Sequence, residues 1–231
     1  TPAMMVLTEL RAKLERAAAT AAKAGLAALA AAAAAAVAGV VKVTGAALES
    51  YASYEQLVGG VDTLFKESSG KLQAYAAGAY KTAGMSANQY MEQATSFSAS
   101  LLQSLGGDTE AAVEYANMAI TDMSDNANKM GTNMGRITDA YQGFAKQNFT
   151  MLDNLKLGYG GTQEEMQRLL DDAEKISGIK YDISSYADIV DAIHVVQKEM
   201  GITGTTAQEA AATIEGSVAM AKAAYSNWLT G

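Results

Sequence analysis

This sequence predicts an all-α protein, on three observations. The 231 residues contain one proline, Pro2, and only 7% aromatics, while Ala is abundant, a composition that favours helices over sheets. Ser or Thr followed three residues later by Glu, Asp or Gln recurs along the chain, and Gly recurs where the segments so opened would stop. Between residues 113 and 144, Val113, Ala116, Ile120, Met123, Ala127, Met130, Met134, Ile137, Tyr141 and Phe144 follow each other at alternating steps of three and four. That spacing is one face of a helix, and Met151 and Leu155 keep the register past Asn148, for about six heptads in all. The expected architecture is a long Ala-rich N-terminal helix followed by a compact multi-helix array with short Gly-containing connections.

Residues 1–50 are expected to form a helical stem, because 15 of the 20 residues from Ala17 to Ala36 are Ala. Residues 24–41 carry no charge and reach the length of a membrane span, but they are mainly Ala, which barely favours lipid. Close packing on another helix is therefore the preferred reading, and a latent membrane-inserting segment is the alternative. Glu9 and Glu15, with no convincing apolar region after them, argue against a signal peptide. Residues 51–83 are read as a helical connector, interrupted near Ser68, Ser69 and Gly70.

Residues 84–231 are expected to form the compact helical domain. Ser86 with Gln89 is a capping box, and the helix it opens should end at Gly106 and Gly107. Asp108 should cap the next, with Glu110 in its first turn. The poor helix formers between Asp125 and Asn133 predict a break, with Gly131 closing one helix and Thr132 capping another that shares the same apolar face. Gly158 to Gly161 reads as a flexible turn. Thr162 with Glu165, Ser185 with Asp188, and Thr206 with Glu209 are three further starts.

Chemistry is harder to find. The chain has no cysteine, which removes disulfides and thiolate metal sites. Residues 1–45 carry a net +3 within a total of −8, leaving −11 on the remainder, a body that should repel nucleic acid. No Gly-Lys-Ser/Thr follows the Gly158 to Gly161 loop, and Glu164 and Glu165 stand where a phosphate would sit. The run from Asp122 fails as a calcium loop, since Ala127 occupies the place of the obligatory Gly and Asn133 that of the bidentate Glu. His194 is the sole histidine, with Asp191 and Glu199 nearby in sequence, and a flank position on an amphipathic helix accounts for it. Asp171 and Asp172 are an incidental pair on an acidic surface. The expectation is no enzyme, no catalytic, metal or cofactor-binding residue, and no cofactor.

Several longer blocks carry a resemblance. They are Tyr-Ala-Ser-Tyr-Glu-Gln-Leu-Val-Gly-Gly-Val at 51–61, Thr-Ser-Phe-Ser-Ala-Ser-Leu-Leu-Gln-Ser-Leu-Gly-Gly-Asp at 95–108 and Tyr-Gln-Gly-Phe-Ala-Lys-Gln-Asn at 141–148. Leu-Lys-Leu-Gly-Tyr-Gly-Gly-Thr at 155–162 and Ser-Gly-Ile-Lys-Tyr-Asp at 177–182 come next in order. Over residues 48–231 the chain resembles the tail tape measure proteins of long-tailed, siphovirus-type bacteriophages and prophages. The resemblance implies a structural protein lying in the tail tube of the virion, which templates tail length and assembly and leaves at DNA ejection. It implies the tail tube protein, a tail assembly chaperone and tail tip proteins as partners, self-association through helices, the host membrane at ejection, and no specific nucleic-acid binding. It also implies assembly in the host cytoplasm. A wholly helical chain of this length would span about 350 Å at about 1.5 Å per residue, so the chain is expected to be the central module of a longer ruler. The alternative from the residues is a membrane-active, pore-forming or channel protein built on the Ala stretch and the Met-rich stripe.

Overall fold

The computed structural model describes residues 49–212 and 221–227, and every regular element among them is helical. The Ala-rich stem and its uncharged stretch at 24–41 lie outside the described residues. Ser50–Gly231 is one compact unit. Residues 49–65 are helical (α1), and a 3-10 turn, Lys66–Ser68, separates them from α2, Ser69–Thr82. The helices α3, Ala87–Ser104, α4, Thr109–Met130, and α5, Met134–Phe144, come next. After the 3-10 turn Leu152–Leu155 come α6, Gln163–Ser177, α7, Tyr186–Glu199, and α8, Thr205–Ala212. Residues 221–227 are helical as well.

The hub is α4. It packs against α2, α3, α5, α7 and α8 and touches both 3-10 turns. Its ends follow from local chemistry: the Asp108 carboxylate accepts from the Ala111 N–H, Glu110 lies in the first turn and Lys129 in the last. Gly131 terminates it at φ 63°, a left-handed conformation that costs glycine nothing. Val113, Ala116, Ile120 and Met123 are fully buried, as the stripe predicts. Ala127, Met130 and Met134 are only half-buried around the break, and Ile137, Tyr141 and Phe144 return to the core on α5. The cap of α5 is Asn133, whose side chain accepts from the Gly135 N–H; Thr132, the expected cap, is buried one residue earlier.

The stripe is shorter than its register suggests. Beyond Phe144 the chain turns through Gln147 at φ 58°, so Met151 and Leu155 sit at and in a 3-10 turn and do not extend the helix face. Phe144 bridges the two segments, with Tyr141 at 5.8 Å and Phe149 at 6.2 Å between ring centres. Residues 51–83, expected to be a connector, supply Val61, Phe65, Leu72, Ala76 and Ala79 to the same core. The break near Ser68 is real, but the 3-10 turn makes it and α2 restarts at Ser69.

The glycine loop before α6 is held, not flexible. The Glu165 carboxylate accepts from the Gly160 N–H at 2.9 Å, and Arg168 donates to the Gly158 carbonyl at 2.8 Å. The Arg168 guanidinium lies 4.4 Å from the centre of the Tyr159 ring, whose hydroxyl donates to Asp172 at 3.0 Å. A Cβ on Gly161 would stand 2.2 Å from the Thr150 carbonyl oxygen, so only glycine admits this approach.

Candidate functional site

The chemically richest place in the unit is the second half of α4, where the helix turns polar residues inward. Asp122, Ser124, Asp125 and Asn126 are all buried, among the residue types least often found there. Each has a partner far along the chain. Ser124 donates to the Ala83 carbonyl at 2.8 Å and Asn126 to the Leu155 carbonyl at 2.9 Å. The Asp125 carboxylate accepts from two backbone N–H groups, Gly204 at 2.6 Å and Thr206 at 2.8 Å. These are first-turn donors of α8, so a carboxylate from α4 caps that helix from outside. Thr206 is therefore a capped residue, not the expected cap, and α8 begins one residue before it.

Asp122 lies one turn earlier on α4 and meets His194 of α7, with Nδ1 at 2.8 Å from one carboxylate oxygen and 3.1 Å from the other. Burial pushes the Asp122 carboxyl up, against the lowering effect of the His194 hydrogen bond. The His194 imidazole is raised chiefly by its hydrogen bond to Asp122, with burial opposing and Asp191 adding a smaller rise. The two rises have different causes: pairing with Asp122 lets the imidazole keep its proton to higher pH than usual, whereas burial, partly offset by His194, lifts the carboxyl. Nearby Tyr141 is fully buried, and burial pushes its phenol far up.

This arrangement can neutralise and orient. The Thr203 hydroxyl donates to Asp122 at 3.5 Å, and so reaches the acceptor partner and not the imidazole. No group of three or more His, Cys, Asp or Glu side chains able to hold a metal occurs among the described residues. His194 is thus the half-buried ion-pair partner of a buried carboxylate and not merely a flank residue, and that partner is Asp122 rather than Asp191 or Glu199. Asp171 and Asp172 diverge: Gln167 donates to the first at 2.8 Å, and Lys175 and Tyr159 donate to the second. Asp122, Ser124 and Asn126, which imitate calcium-loop positions, lie in a helix and reach three separate partners.

A second feature is open to solvent. A groove of about 890 Å³ is lined by α3 and α5, with Ala127 of α4 and Thr206 of α8 also among its lining residues. Gln89, Gln93 and Ser96 line one wall, and Met134, Thr138 and Gln142 the other. Among the described residues no helix is long and apolar enough to cross a membrane. Compared with family models, curated proteins and solved structures, the chain matches none.

Proposed function

We propose that the chain is a structural segment of a tail tape measure protein, which occupies the tail tube of a long-tailed phage or prophage, templates tail length and leaves at DNA ejection. One observation carries the reading: the ordered blocks at 51–61, 95–108, 141–148, 155–162 and 177–182 all fall within the compact unit, which begins at Ser50. The polar fastenings of α4 suit such a role, because a body held by a few buried carboxylates can be released by undoing them, whereas a purely apolar core dissolves only as a whole. The partners in this role are the tail tube protein, a tail assembly chaperone, tail tip proteins and the host membrane at ejection. Catalysis has no part in it.

The test is geometric. Deleting the 18 residues from Ala24 to Val41 in the intact protein should shorten assembled tails by up to about 27 Å, the length of that stretch as a single helix. Electron microscopy of intact particles measures it. Tails of unchanged length would remove the stem from the ruler, and flotation of the purified chain with liposomes would then favour the membrane-active reading.

A further inference from the structure

We propose that the groove between α3 and α5 is a docking site for a short, basic, Ala-rich helix of a partner protein, an inference that goes beyond the tail reading and stands without it. The walls are two helices whose lining residues recur once per turn, Gln89, Gln93 and Ser96 against Thr138 and Gln142, so they present paired ridges that the side-chain rows of a third helix fit. The two walls stand close together: the Thr138 hydroxyl donates to the Gln93 side-chain oxygen at 3.4 Å, and Ala127 of α4 is among the lining residues. Against walls this near to one another a helix with small side chains on its contact stripe makes the closest approach, and Met134 and Met85 can adapt to it.

Charge selects the partner. Glu92 and Asp139 are exposed carboxylates lining the groove, and no Lys, Arg or His lines it among the described residues. Lys or Arg flanking the small-residue stripe would meet these carboxylates, and an acidic helix would be repelled. The wall from Gln89 to Ser96 is about 10 Å long at about 1.5 Å per residue, room for about two turns of the partner.

The probe is a fluorescently labelled Ala-based helical peptide of about 16 residues with one Lys per turn, titrated against the full chain at low salt and followed by anisotropy. Saturable one-to-one binding is expected, weakened roughly tenfold or more by Glu92→Lys with Asp139→Lys, two exposed positions whose exchange leaves the core untouched. Ala127→Leu, which adds bulk to the lining and keeps the charge, should weaken it as well. The proposal is overturned if a disordered Gly/Lys peptide of equal charge binds as tightly, since the surface would then be a bare electrostatic field. It is overturned equally if the double variant binds unchanged. A self-associated chain that takes up no peptide and becomes monomeric in the double variant would make a second copy the occupant and overturn it too.

Discussion

His194 and Asp122 form the contact in this unit that reports most directly on pH. The folded His194 is raised above its ordinary value, so its contribution to stability is complete below the unfolded value of about 6.5 and is lost as pH rises through the folded value. Asp122 is raised too, so its ionisation also opposes folding as pH rises. The Asp122 contribution begins to fall at the ordinary carboxylate value, so the loss above about pH 6.5 is the one that His194 sets. Urea unfolding at about pH 6 and pH 8.5 should show the fall, and His194→Gln, which keeps a donor but cannot titrate, should flatten it. His194→Ala is a harsher change, leaving a fully buried carboxylate without its partner, and should cost about 3–5 kcal/mol. A flat pH profile in the native chain would show that the proton is not held by this pair.

At the scale of elements, α8 depends on a side chain outside itself. Asp125→Ala strips two acceptors from its first turn and should destabilise α8 by about 2–3 kcal/mol. In amide exchange the Gly204 and Thr206 protons should then exchange faster, with those of central α4 moved less. The loop before α6 depends instead on an absent side chain: Gly161→Ala forces a Cβ into the Thr150 carbonyl and should cost about 3 kcal/mol, read as a lowered melting temperature. The two cases mark the limit of legibility. The caps at Ser86, Asp108, Thr162 and Ser185 could be read from the sequence because each accepts from a backbone N–H three residues on. Asp125 could not, since its partners lie 79 and 81 residues away and the local pattern offered Thr206 and Glu209 as a self-sufficient start. Gly161 could not either, because nothing within its own loop states how close Thr150 comes.

For the whole molecule, the apolar stripe was the reliable guide: it located the core of α4 and α5, weakened at the half-buried positions around Gly131 and failed where Gln147 turns the chain. Ile120, fully buried at the centre of the hub, tests that guide directly. Ile120→Asp places an unpaired carboxylate among apolar neighbours and should cost several kcal/mol, about 3 or more, unfolding the unit as one body. An unchanged melting curve would mean that α4 does not organise the core. The partner of His194 stayed hidden for the same reason as that of Asp125, because 72 residues separate it from Asp122.

The external cap on α8 also sets an order in time. Joining Asp125 to Gly204 closes a loop of nearly 80 residues, an entropic cost of about 4 kcal/mol for a flexible chain, and one that the intervening helices must already have reduced by packing. The first turn of α8 therefore gains its acceptor only after α4 and α7 have met, however readily its own residues would coil. On a chain emerging from the ribosome it is among the last parts to set, and under a pull from the C-terminal end among the first to let go.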